Sequence, residues 1–334
     1  MKDIVILAIE TSCDETAIAI VKNGQEILAN VISSQIETHK LFGGVVPEVA
    51  SRIHVENITL VLEEAITQAN IKMDDIDAIA FTQGPGLIGC LHIGVVAAKT
   101  LAWLYQKPLI AVQHIMGHIV ANCFVSKLKY PLLALVVSGG HTELVLMSDA
   151  KNYELLGCTQ DDAVGEAFDK IARLIGLPYP GGVHIDKHAQ SGQATYTLPM
   201  PKTENKYDFS FSGLKSAVLQ LIEREKKQGR EINVANLAAS FQNVAIEQLL
   251  NKSRLAITEY KPKHFVLAGG VAANSLLRAK ISQELENFPE VELTIPPLFC
   301  CTDNGAMIAA AAYNLYLSNE FVDLSVGANP SLEL

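Results

Sequence analysis

Apolar and polar positions follow two rhythms along this chain. Residues 4–21, IVILAIETSCDETAIAIV, run as an apolar stretch, a polar turn and an alternating stretch, which predicts strand, tight loop, strand. Residues 132–147, LLALVVSGGHTELVLM, repeat that grammar. The repetition predicts a duplicated unit, with one loop from each half facing a shared cleft. A third buried strand in HFVLAGGVAAN ends at a Gly-Gly turn and opens the helix-like SLLRAKISQELENF. Helical periods are plain elsewhere. Over residues 47–70, Ala50, Ile53, Ile58, Val61, Leu62, Ala65 and Ile66 fall on one face, with Pro47 suited to a first turn. Over 163–175 the apolar side is Val164, Ala167, Phe168, Ile171 and Leu174. Residues 234–260 read as a long amphipathic helix, and the alanine-rich 304–317 as a tightly packed final one. Strands and helices alternate throughout, so the fold class is α/β.

Composition narrows the picture. With 334 residues, 49% hydrophobic and 19% charged, the chain can bury two lobes, and aromatics at 6% make the core aliphatic. No apolar run approaches the roughly 20 residues of a membrane span. The opening MKDIVILAIETSCDE is too short and too soon acidic for a signal peptide, so a cytoplasmic protein without membrane contact is expected. Six cysteines without a CxxC pair indicate reduced thiols rather than a zinc knuckle or a disulfide framework. The net charge of −10 argues against a protein that grips nucleic acid with its whole surface. Residues 202–263 nonetheless carry eleven Lys or Arg against seven Asp or Glu. A solvated helix face accounts for EREKKQGREIN, and a surface for a polyanion is expected there first.

Candidate chemistry begins with His114 and His118 in HIMGH. On a helix, i and i+4 side chains share a face, so two imidazoles can reach one point, as a metal requires. Histidines that merely hydrogen-bond inside a core are the competing reading, and a metal needs a third ligand. Asp303, in FCCTDNGAM just before a helix, fits either as that ligand or as an N-cap. A His, His, Asp set with open positions suits Fe(II) or Zn(II). Ile115 occupies the place where an H-E-x-x-H metallopeptidase carries its glutamate, and no G-x-S-x-G occurs, so both hydrolase types are unsupported. Four glycine loops, GGVVPEVASR, GPGLIGCLHIG, VSGGHTE and LAGGVAAN, match neither a P-loop nor G-x-G-x-x-G. Together they point to a nucleotide-sized ligand held between lobes, with His141 placed for substrate contact. Glu10, Asp14 and Glu15 crowd the first loop, either to position a ligand and take a proton or as solvated turn carboxylates.

AIETSCDETA, FGGVVPEVASRIH, TQGPGLIGCLHIG, HIMGH, VSGGHTE, GEAFDKIARLIGLPYPGG, DFSFSGLK, LAGGVAAN and CTDNGAM closely resemble the successive signatures of the TsaD-type tRNA threonylcarbamoyltransferases, in that family's order and over nearly the whole chain. The resemblance implies the two-lobed actin, Hsp70 and sugar-kinase (ASKHA) superfold of duplicated ribonuclease H-like units. The expected lobes are residues 1–131, joined by a C-terminal helix over 304–334, and residues 132–303. It also implies an activity, transfer of threonylcarbamoyl from its adenylate to the N6 amine of the adenosine 3′ of the anticodon in tRNAs reading A-starting codons. By position, His114, His118 and Asp303 match the family's metal ligands, for one divalent ion, Fe(II) with Zn(II) as the second choice; the ligands are expected from two different lobes. Val137, Ser138, Gly139, Gly140 and His141 match its substrate loop. Asp169, Gly182, Asp186 and Asn274 match positions that hold the carbamoyl adenylate. Implied partners are tRNA, threonylcarbamoyl-adenylate, a paralogous TsaB-type subunit docked through the N-terminal lobe and a small TsaE-type ATPase. The other readings are an ATPase or kinase of the same fold and a non-catalytic scaffold paralogue, and the His, His, Asp set weighs against both.

Overall fold

The N-terminal strand grammar folds as β1 (Val5–Glu10) and β2 (Glu15–Lys22), an antiparallel pair, followed by β3 (Glu26–Ser34). A short helix α1 (Ile36–Lys40) and the long α2 (Pro47–Ala69) lead to β4 (Ala78–Gly84), α3 (Ile88–Leu104), β5 (Leu109–Gln113) and α4 (His114–Val120). The sheet order is β3-β2-β1-β4-β5, with β1, β4 and β5 parallel. The structure, a computed structural model, describes residues 2–334.

The second unit repeats this plan. It contains β6 (Leu132–Val137), β7 (Thr142–Met147), β8 (Tyr153–Cys158), the helices α5 (Val164–Leu174), α6 (Gly181–Ala189), α7 (Ser212–Lys227) and α8 (Val234–Tyr260), then β9 (His264–Ala268), α9 (Ser275–Leu285) and β10 (Glu292–Thr294). Its sheet order, β8-β7-β6-β9-β10, has antiparallel β6/β7/β8 and parallel β6/β9/β10. Strand for strand this is the order and polarity of the first sheet, so the duplication expected from the sequence is present.

Period two explains how the first sheet is covered. Ile6 and Ala8 of β1, Ala78 and Ala80 of β4, and Ile110 and Val112 of β5 point to one face. There they meet the alanine-rich α11 (Gly305–Leu317), which follows the short α10 (Leu298–Cys301). Leu7, Ile9, Ile79 and Phe81 point to the other face, against Val61 and Ala65 of α2 and Val95 and Ala98 of α3. Small residues let α11 lie close: a Cβ on Gly305 would stand 2.4 Å from the Ala19 amide nitrogen.

Two expectations change here. The chain divides into Met1–Lys127 with Leu298–Leu334, and Leu128–Pro297. Asp303 therefore belongs to the same unit as His114 and His118, not to the other lobe, because the chain re-enters the first unit at Leu298, ahead of the helix that covers its sheet. The last helix also ends at Leu317 rather than running to 334. Asn319 adopts a left-handed φ of 56°, and the tail then runs along the first unit, where Val322 N donates to Leu109 O and Asn329 N to Gln83 O.

Candidate metal centre and ligand loops

α4 starts directly at the end of β5, so the strand delivers His114 to the first position of a helix and His118 follows one turn later. Gln113 caps that helix, its side chain accepting from Met116 N at 2.8 Å. Both imidazoles are buried and stand edge to face, 4.8 Å between ring centres. Their Nε2 atoms converge on Asp303 Oδ1, at 3.5 Å from His114 and 3.1 Å from His118. The three donors lie within 4.8 Å of one another.

Asp303 is not the N-cap of α11. Asn304 takes that role, its side chain accepting from Met307 N at 3.0 Å, while the neighbouring Asp303 carboxylate faces the two histidines. The residues fit a divalent cation: two imidazoles and a carboxylate converge, and His118 Nδ1 and Nε2 are buried without a hydrogen-bond partner. Burial lowers the His114 pKa, but the charges of Glu10 and Asp303 outweigh it and push the value up to about 9.

The first-loop carboxylates differ in kind. Glu10 ends β1 on the face that carries Ile6 and Ala8, and is completely buried, so the solvated-turn reading fails for it. Its Oε1 accepts from Ser12 N at 2.5 Å; its Oε2 accepts from the Thr82 hydroxyl and from His114 Nδ1, the latter at 3.1 Å. Asp14 is buried as well. Glu15 is pushed well above the usual carboxylate range, first by burial and then by the charges of Asp14 and Asp303. His54 of α2 braces this loop, contacting Thr16 Oγ1 at 2.7 Å and the Cys13 carbonyl at 3.0 Å, and burial holds its pKa down. Ser12, His54 and Thr82 escaped sequence reasoning. Thr82 did leave a signal, a polar residue two places beyond Ala80 on a buried face.

In the second unit, Val137 ends β6 and the turn Ser138–His141 is closed by Ser138 N donating to His141 O at 2.8 Å and by His141 N donating to Ser138 Oγ at 3.0 Å. Nothing lies within 4 Å of a Cβ built on Gly139 or Gly140, so that backbone is open. Two other glycines permit close packing around it. A Cβ on Gly165 would stand 2.5 Å from Ser138 O, and one on Gly269 (φ +87°) 2.5 Å from Val137 O. Asp169 Oδ1 accepts from Gly181 N at 2.6 Å, tying α5 to the start of α6 beside Gly182, and burial raises its pKa.

Asp186 and Asn274 are joined through a residue that sequence reasoning missed. Gln242 of α8 donates to Asp186 Oδ1 at 3.1 Å and accepts from Asn274 Nδ2 at 3.1 Å. Asp186 also accepts from Ser275 N and Oγ, and Asn274 caps α9. A cavity of about 290 Å³ opens beside this junction, lined in part by Gln190, Gln242, Asn243, Ser275 and Leu276.

The family model described as TsaD, tRNA N6-adenosine threonylcarbamoyltransferase, matches residues 26–310. A protein of that name from Geobacillus kaustophilus (strain HTA426) is 55% identical over 334 residues, covering 100% of this chain and 98% of its own. One of the same name from Bacillus cereus (strain ATCC 14579) is 56% identical, covering 100% and 97%. Among solved structures, full-length HypF in its phosphate- and nucleotide-bound form aligns with a TM-score of 0.63 at 15% identity, over 96% of this chain and 56% of that one. Component A of the Acidaminococcus fermentans (R)-2-hydroxyglutaryl-CoA dehydratase aligns at 0.54 and 14%, over 94% and 98%. At such identities these structures speak for the two-lobed ASKHA fold alone.

Proposed function

We propose a course for the reaction from the premise that this chain belongs to the TsaD family, the tRNA N6-adenosine threonylcarbamoyltransferases. It is a transferase that modifies tRNA, and its His-His-Asp group is able to hold one metal ion. The convergence of His114, His118 and Asp303 within 4.8 Å carries the site assignment. We assign Fe(II) to it ahead of Zn(II), since two imidazoles and one carboxylate with open positions are the donor set that ferrous sites use. Bound there, the cation supplies Lewis-acid stabilisation to an oxygen that gains negative charge.

The acyl donor is threonylcarbamoyl-adenylate, which we assign to Val137–His141, Asp169, Gly182, Asp186 and Asn274 of the second unit. The open space above Gly139, Gly140 and Gly270 supports this, because bare backbone N–H groups can approach a phosphate or a ring. The donor is a mixed carbamic–phosphoric anhydride whose adenylate leaves readily, so no enzyme nucleophile is needed. The adenosine N6 attacks the carbonyl carbon, the bond from that carbon to the phosphate oxygen breaks, and the amine gives up a proton. Asp14 and Glu15 are the groups to receive it. Burial raises the Glu15 pKa, so its carboxylate, when ionised, is a stronger base than a solvated one. The cysteines take no covalent part; burial pushes the Cys90, Cys123 and Cys300 thiols up to about 12.

Partners complete the system. Val55 and Leu60 of α2 and Val96 and Trp103 of α3 are exposed, and such an apolar surface supports docking of a paralogous TsaB-type subunit through the first unit. A small TsaE-type ATPase would reset the complex, in the cytoplasm. No helix among the described residues is long and apolar enough to cross a membrane. The test is direct: tRNA lacking the modification is incubated with threonylcarbamoyl-adenylate, Fe(II), this protein and the partner set, and its nucleosides are analysed by mass spectrometry. Threonylcarbamoyladenosine is expected from the wild type and at least a hundredfold less from His118→Ala. Equal yields from both proteins would refute the site assignment.

A further inference from the structure

We propose that Glu10 is the positioning residue that holds His114 in the tautomer and orientation needed for metal binding, with Thr82 and Ser12 fixing Glu10 in turn. The inference rests on the metal reading of His114, His118 and Asp303.

Three parallel strands build the arrangement. On the face covered by α11, β1 presents Ile6, Ala8 and then Glu10; β4 presents Ala78, Ala80 and then Thr82; β5 presents Ile110 and Val112, and the chain continues into His114. Each strand thus spends two apolar positions on the core and delivers a polar side chain at its carboxyl end, where α/β sheets place their ligands. The three polar groups meet. Glu10 Oε2 accepts from the Thr82 hydroxyl and lies 3.1 Å from His114 Nδ1, while Ser12 Oγ is 3.3 Å from the same nitrogen. Ser12 N holds the other carboxylate oxygen at 2.5 Å.

A carboxylate only accepts, so the proton between Glu10 and His114 sits on Nδ1. That leaves Nε2, on the side of the ring facing Asp303 and His118, as the nitrogen whose lone pair a bound cation would take. Imidazole ligands are commonly oriented in this way by a carboxylate on their second nitrogen, and loss of that partner typically weakens metal binding 10–100-fold. Glu10 is completely buried and its oxygens are engaged by the chain's own donors, so it acts through His114 rather than on substrate.

Glu10→Gln keeps the shape but supplies an amide N–H that donates to Nδ1, which moves the histidine proton to Nε2, the atom the metal needs. Zinc affinity, measured by competition with a chromophoric chelator, is expected to fall 10–100-fold while the thermal unfolding midpoint moves little. In the variant, histidine 15N NMR should show His114 protonated on Nε2, where the zinc-loaded wild type carries Nδ1–H. Thr82→Val, nearly isosteric, removes only the hydroxyl that steadies Glu10 and should weaken zinc several-fold; it decides the matter if Glu10→Gln does not fold. A wild type that binds no zinc would overturn the metal reading and this proposal with it. Wild-type binding matched by both variants, with an unchanged His114 tautomer, would overturn this proposal alone.

Discussion

Glu143 lies on β7, opposite Val136 on one side and Cys158 on the other, with Oε2 buried and without a partner. Burial pushes its pKa up to about 7. The sign of the consequence follows from linkage. Below about pH 4 the group is protonated in both states, and between there and pH 7 the unfolded chain ionises first, so stability falls as pH rises. Above pH 7 the loss is complete, at roughly 3 kcal/mol or less. Glu143→Gln should abolish it: the gap between variant and wild-type urea midpoints should widen in the variant's favour from pH 5 to pH 8. A gap that stays constant over that range would refute the assignment. Residue-scale chemistry was unevenly legible beforehand. The i, i+4 spacing of His114 and His118 is a local fact, whereas the burial that sets apart Glu10, Glu15 and Glu143 is made by strands far away in sequence.

The start of α11 separates two adjacent residues by function. Asn304 satisfies an amide that the helix leaves open, whereas Asp303 points its carboxylate to the two histidines. Asn304→Ala should lower folding stability by about 1 kcal/mol with little change in zinc affinity. Asp303→Ala should weaken zinc at least a hundredfold and leave the unfolding midpoint within a degree or two. Calorimetry with zinc and thermal denaturation of both variants would check this, and the reverse pattern would return Asp303 to the cap. The period-3.6 pattern located this helix to within one residue. The choice between Asp303 and Asn304 as cap lay beyond it, because both residue types cap well and only the backbone path decides which side chain turns inward.

At the scale of the molecule, a chain of net charge −10 meets a polyanion, and some of its cations are already engaged. Arg230 is tied to the nearly buried Glu225, with Arg230 Nε 2.5 Å from its carboxylate, and Arg254 is paired with Glu284. Lys215, Lys226 and Lys227 on α7 are exposed and are the expected contacts for tRNA phosphate. Reversing Lys226 and Lys227 to Glu should weaken tRNA binding and reduce the salt dependence of log K by about 2, since each phosphate contact contributes nearly one to that slope. Filter binding across a salt series measures both. An unchanged slope would move the tRNA surface elsewhere; reversal of Arg230 is the poorer probe, because it would also strand Glu225.

By itself the sequence determined the α/β class, the duplicated strand–loop–strand units, the long helices and the i, i+4 spacing of His114 and His118, because these rest on periodicity and on spacing within single segments. It also determined the family, since nine motifs in order span the chain. Only the tertiary structure decided that Asp303 belongs with the histidines' own unit, that Glu10 is a buried partner of His114, and that Gln242 links Asp186 to Asn274. Each of these depends on contacts between residues 32 to 189 positions apart, and a pattern with a period of two or 3.6 residues carries no information about which distant strand or helix will close over it.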